Sequence, residues 1–198
     1  PALLENQEVK GLLSLNTATG ENHRGQGLFT KLASQTYEYA EEQGYSFVIG
    51  VANQSSVKGF VNKLGFQLVG QLHAMAGIGS LPKPDFSVDS DYSRIWNSEL
   101  LKWRLSNPSS SYFIHEEKDL KRIYSKTDYS FMDTNIGVFK KELLEGDLGK
   151  KKPSAFRLWI GLDCRVKFSR KPYFNIPLRF RPSPLYLIFK DLTGQNHQ

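Results

Sequence analysis

The chain has 198 residues, 39% of them hydrophobic and 13% aromatic, enough for one large domain or two small ones with a real core. Its formal net charge of +6 leaves nucleic acid, a membrane surface or a polyanionic cofactor open as partners, with a solvated basic surface as the plainer reading. One cysteine, Cys164, excludes an intrachain disulfide and a cysteine-based metal cluster and fits a reducing cytoplasm, and no apolar run approaches the roughly 20 residues of a membrane helix.

Residues 1–10 read as a strand or turn remnant around Leu3 and Leu4, and residues 9–19 as a strand. The loop Gly20, Glu21, Asn22, His23 then leads into Arg24-Gly25-Gln26-Gly27-Leu28-Phe29. Leu28, Phe29, Leu32, Ala33, Tyr37 and Ala40 follow at helical spacing, and Gly44 stands where a helix C-cap belongs. Residues 45–51 (Y-S-F-V-I-G-V) read as a buried parallel strand, which completes a right-handed βαβ unit. After Asn53-Gln-Ser-Ser56, a short helix carries Val57, Phe60, Val61 and Leu64 on one face and stops at Gly65. Residues 66–76 read as one strand and 77–90 as a linker. A helix is expected over 91–106, a hairpin over 112–126, a helix over 137–144 and strands over 155–166 and 184–190. Cys164, in an apolar run, reads as a buried small hydrophobe. Residues 149–153 read as a solvated basic loop. Residues 165–181 alternate basic and aromatic side chains, a pattern shared by a strand with a polar outer face and by a clamp on single-stranded nucleic acid; the strand is the preferred reading.

The turn at Arg24 has a physical use. Glycines let backbone approach a ligand, and the first N–H groups of a helix have no intrahelical partner. With the helix dipole they suit a pyrophosphate, and Arg24 adds a cationic donor fork. A polar turn closing a strand is the competing reading of these few residues.

Arg24-x-x-Gly27-x-Phe29 resembles the pyrophosphate motif of the GCN5-related N-acetyltransferases, the GNAT superfamily, although that pattern ends in Gly or Ala where this chain has Phe29. Asn53-x-x-Ser56, followed by Lys63-Leu64-Gly65-Phe66, resembles the superfamily's later segment, with a spacing one residue longer than expected. Together the two motifs cover about a quarter of the chain. The resemblance implies a mixed α/β, GNAT-like twisted sheet with helices on both faces (residues 1–76), a linker (77–90) and a C-terminal α+β region (91–198), for which a diverged second GNAT-like half is an alternative reading. The GNAT fold also needs about three strands and two helices ahead of the strand that leads to Arg24. Only about ten residues stand there and the chain opens on Pro1, so it reads as a fragment or a processed product.

The activity implied is transfer of an acetyl or other acyl group from coenzyme A to a primary amine, small-molecule or peptide, by direct attack. Acetyl-CoA would lie against Thr17, Thr19, Arg24, Gly25, Gln26, Gly27, Leu28, Phe29, Asn53, Ser56 and Phe60. Phe60, or Val61, stands where the superfamily has a tyrosine acid, so neither acid nor base can be assigned. Glu21 and His23 read as loop residues before they read as catalysts. The histidines show no metal spacing, and a metal is not expected. A homodimer is compatible with the sequence, and a membrane span and nucleic acid are not expected. A non-catalytic acyl-CoA sensor is the main alternative, and a nucleic-acid-binding protein acting through residues 165–181 the weaker one.

Overall fold

Left-handed glycines punctuate the first part of the chain. Gly27 (φ 70°) opens a helix, and Gly44 (φ 74°) and Gly65 (φ 69°) follow the ends of two helices. Such φ values strain any residue with a Cβ, so these positions fix where helices begin and end. The computed structural model describes residues 1–5, 7–15, 18–144, 153–169 and 172–194. In chain order the elements are β1 (Ala2–Leu4), β2 (Gln7–Val9), β3 (Gly11–Ser14), α1 (Leu28–Glu42), β4 (Phe47–Asn53), α2 (Val57–Leu64), β5 (Gln67–Gln71), β6 (His73–Ile78), β7 (Tyr92–Arg94), α3 (Ser98–Leu105), β8 (Tyr112–Glu117), β9 (Leu120–Lys126), β10 (Met132–Lys140), β11 (Phe156–Gly161), β12 (Tyr173–Asn175) and β13 (Leu185–Asp191).

The chain forms two compact units. The first holds Pro1–Leu72, Asp91–Arg94 and the described residues from Leu178 onward. Its main sheet has the order β3-β4-β13-β5. β3 and β4 are parallel, as the βαβ reading requires, and β13 runs antiparallel between β4 and β5. Strand alternation sorts β4 onto two faces. Val48 and Ala52 pack with Ile188 under Ala33, Tyr37 and Ala40 of α1 and Phe60 and Leu64 of α2. Phe47 and Ile49 face the other way and meet Ala2, Leu4 and Tyr92 of the small sheet β2-β1-β7. Within this unit the two helices pack on one face of the main sheet and the small sheet on the other.

The second unit holds His73–Ser90 and Ile95–Pro177. Its sheet has the order β12-β6-β11-β10-β9-β8, with β10 and β11 parallel. One core of this unit gathers Leu81, Phe113, Tyr124 and Tyr173, and another sets Leu101 of α3 against Ile123 and Phe139. Residues 77–90, expected as a linker, belong to this unit, with Leu81 4% exposed in its core. The last strand, β13, expected in the C-terminal region, belongs to the first unit.

Several local expectations are corrected. The single strand over 66–76 is two strands in different sheets, β5 and β6, parted at Leu72. The helix expected from 91 starts only at Ser98, because Asn97 Oδ1 accepts from Leu100 N at 2.8 Å and caps it there, while Tyr92–Arg94 pair with β1. The helix over 137–144 is instead the end of β10, where cross-strand pairing with β9 overrides local propensity, followed by a 3-10 turn over Lys141–Leu143. β3 is shorter than the strand expected over 9–19, and β11 shorter than that over 155–166. Cys164 therefore falls beyond the strand and is exposed, its Sγ 3.6 Å from the Asp89 carbonyl. Of the described residues within 165–181, only Tyr173–Asn175 are strand. Arg165 in that stretch pairs with Asp163 at 2.9 Å, and Arg181 donates to the Leu72 carbonyl at 3.0 Å. Arg170, Lys171, His197 and most of the basic loop, residues 149–152, lie outside the described residues.

Candidate functional site

Because β3 and β4 are parallel neighbours, the turns that leave their C-terminal ends lie at the same end of the sheet. One is the turn from Gly20 to Gly27, the other Asn53 to Ser56. Crevices at the carboxyl ends of parallel strands are where open α/β sheets bind ligands.

In the first turn, Glu21–His23 form a 3-10 turn and Arg24 is extended (φ −70°, ψ 154°). Gly25 and Gly27 both have positive φ, 78° and 70°. A Cβ built on either glycine would meet nothing within 4 Å, so backbone geometry demands them and the space above them is open. No side chain caps α1 at its N-cap, Gly27. Its leading N–H groups therefore face that open space, with the positive end of the helix dipole behind them. Arg24 stands at the rim with its side chain 66% exposed, 3.8 Å from Glu21 and with Nε 3.4 Å from the Thr19 carbonyl. Gln26 Nε2 reaches back to the Asn22 carbonyl at 3.4 Å.

Phe29, the departure from the motif, turns inward. Its ring meets Phe60 edge-on at 5.1 Å, and a Cβ on Gly59 would stand 3.3 Å from it. The bulk at position 29 is thus taken up by a glycine on α2, and the turn itself stays clear. Phe60 is 4% exposed and sits between Phe29 and Phe66. It has no proton to give and supports Phe29 from behind.

In the second turn, Asn53 Oδ1 accepts from Ser55 N (3.0 Å), Ser56 N (2.9 Å) and Ser56 Oγ (3.0 Å). This is an Asx-type turn that holds the entry to α2. Asn53 and Ser56 are thereby fixed to each other.

A groove of about 460 Å³ opens between β3 and α1, lined by Leu12, Leu15, Leu28, Leu32 and Thr19 among others. Its polar lining includes Thr19, His23, Thr36 and the Ser14 Oγ–Tyr37 Oη pair at 3.1 Å. Burial pushes the Tyr37 phenol up, and the Ser14 hydrogen bond offsets part of that. Sequence periodicity assigns Tyr37 to the helix core face; the available signal for the pair is that a buried tyrosine needs a hydroxyl partner.

The structure thus brings Thr19, Arg24, Gly25, Gln26, Gly27, Leu28 and Phe29 into one turn, and Asn53 and Ser56 into a second at the same sheet end. Thr17 lies outside the described residues. Among the described residues no three His, Cys, Asp or Glu side chains gather as a metal site would require.

No protein-family model matches the chain, and no curated protein matches it in sequence. Solved structures do match it. A GCN5-related N-acetyltransferase from Anabaena variabilis ATCC 29413 superposes with a TM-score of 0.55 at 11% identity, over 96% of this chain and 57% of that one. A GCN5-related N-acetyltransferase from Kribbella flavida gives 0.54 at 10% identity, over 96% and 54%. Eis1 from Mycobacterium abscessus gives 0.53 at 8% identity, over 96% and 59%. The chain spans a little over half the length of each of these proteins. Across both units, the fold of this chain is that of the GCN5-related N-acetyltransferases.

Proposed function

We propose that this chain carries the acyl-CoA-binding part of an N-acyltransferase that moves an acetyl or other acyl group from coenzyme A to a primary amine by direct attack. The observation that supports this best is the uncapped N-terminus of α1, reached through two left-handed glycines, at the same sheet end as the Asn53 turn. The residues present fit the cofactor. The N–H groups from Gly27 onward and the Arg24 guanidinium would hold the pyrophosphate, and Asn53 with Ser56 would meet the pantetheine arm. Bound acetyl-CoA supplies an activated thioester; the chain's own residues fix its position, which is a large part of the acceleration in such transfers. Acid and base remain unassigned, since Phe60 has no proton to donate. A non-catalytic acyl-CoA sensor is the second reading, favoured by that same residue.

We place the protein in the cytoplasm, in keeping with its single cysteine. No helix among the described residues is long and apolar enough to cross a membrane.

Calorimetric titration of acetyl-CoA tests the proposal. We expect micromolar binding, weakened about tenfold by Arg24→Ala, which corresponds to the low end of a charge-assisted hydrogen bond, about 1.5 kcal/mol, at an exposed position. Among the described residues the polar partners of Arg24 are the Thr19 carbonyl and Glu21, both at the exposed rim, so the thermal stability of the variant should stay near that of the parent. Binding that ignores the substitution would remove the pyrophosphate assignment. Turnover with a panel of primary amines would decide between enzyme and sensor.

A further inference from the structure

The second unit buries two arginines of unequal circumstance. Arg122 is 2% exposed and has its counter-ion, Nε donating to Glu117 Oε1 at 2.7 Å. Arg157 is 8% exposed and has none among the described residues. Its Nε reaches the Ser154 carbonyl at 3.4 Å, its Nη1 the Tyr124 hydroxyl at 3.3 Å, and its guanidinium carbon lies 5.4 Å from the Tyr124 ring centroid. The nearest candidate carboxylate in register is Asp133, the partner of Arg157 across β10 and β11. Asp133 is already taken, ion-paired to Lys126 at 2.7 Å and accepting from the Ser154 N–H. Among the described residues Arg122 is matched by Glu117 and Lys126 by Asp133, and Arg157 has no carboxylate partner.

A buried ion without a partner is destabilising. The face of Tyr124 offsets part of this. Two donors also lack acceptors. Tyr124 is 0% exposed, accepts from Arg157, and has no acceptor for its own O–H among the described residues. Arg157 Nη2 likewise makes no hydrogen bond there. Tyr173, close by in the same core, is not part of the deficit, since it donates to the Gly79 carbonyl at 2.8 Å. A water molecule would satisfy the Tyr124 hydroxyl but would leave the charge. A small, flat anion with two acceptor oxygens satisfies both, and a guanidinium fork matches a carboxylate edge to edge.

We propose that Arg157 and Tyr124 form a binding site for a small carboxylate of the size of formate or acetate. The site lies within the second unit and does not depend on the acyl-CoA reading.

Thermal unfolding of the whole chain at constant ionic strength, with chloride replaced stepwise by acetate, tests this. The expected result is a saturable rise in Tm for the parent, no saturable rise for Arg157→Met, and a severalfold weaker midpoint for Tyr124→Phe. An absent rise in the parent, or an equal rise in Arg157→Met, overturns the proposal. Should Arg157→Met fail to fold, line broadening of 13C-formate by the parent decides. Broadening that acetate displaces and that falls in Tyr124→Phe supports the site, and its absence, or its persistence in Tyr124→Phe, removes it.

Discussion

A chain ending at Pro184 should lose its first unit. β13 is an inner strand of that unit's sheet, with Leu185–Asp191 paired residue by residue to Asn53–Phe47 on one side and to β5 on the other. Ile188 is 1% exposed and Leu192 6% exposed in the core beneath α1 and α2. Truncating a buried isoleucine alone costs about 2–5 kcal/mol, and whole domains are stable by only about 5–15 kcal/mol. Removing the strand also frees the inner edges of β4 and β5, whose N–H and C=O groups then have no partners. Amide hydrogen exchange is the measurement. In the shortened chain the amides of Phe47–Asn53 and Gln67–Gln71 should exchange at rates near those of an unfolded chain, while β8, β9 and β10 stay protected. Retained protection in β4 would show that the first unit closes without its last strand.

Asp133→Asn should destabilise the second unit by about 3 kcal/mol at neutral pH, the low end for breaking a buried ion pair, since Lys126 is 35% exposed and can turn to solvent. Asp133 itself is 0% exposed. Burial pushes its carboxyl up, and the Lys126 ammonium and the Ser154 donors outweigh burial and hold it below the ordinary carboxylate range. A carboxyl with a depressed folded-state pKa contributes stability above its unfolded value, about 3.9, and loses that contribution as pH falls through the folded value. The parent should therefore weaken in acid more than the variant does, and the gap between them should close below about pH 4. Urea melts at pH 7 and pH 3 would check both statements. A gap that stays constant with pH would mean that the charge of Asp133 contributes nothing and its shape everything.

The βαβ unit and its two turns are legible in the sequence because local chemistry dictates them. Glycines 27, 44 and 65 mark helix ends with backbone geometry that other residues avoid, and Leu28, Ala33, Tyr37 and Ala40 repeat at helical spacing. The strand character of Leu185–Asp191 is equally plain, but its destination is not, since no local signal tells a strand which partners far upstream await it. The break at Leu72 has the same origin: nothing in the run through β5 and β6 punctuates the point where the chain passes from one sheet to another. Asn97 hides in a stretch whose apolar residues suggest a longer helix, and only the pairing of Tyr92–Arg94 with β1 exposes the cap. At the site, the Arg24–Gly27 turn is readable, whereas the accommodation of Phe29 by Gly59 depends on two helices meeting. Arg157 and Tyr124 stand on different strands, so their juxtaposition has no sequence signature at all.

The Asx turn at Asn53 also sets a polarity. Its carbonyl oxygen is committed three times over to the start of α2, which leaves the amide nitrogen as the end that can meet a ligand. On the proposed reading, a ligand docked there would meet a hydrogen-bond donor, which favours a carbonyl or another acceptor over an N–H at that point. Aspartate in its place could keep the turn while presenting an acceptor outward, and so would invert the preference of the site without disturbing the helix that follows.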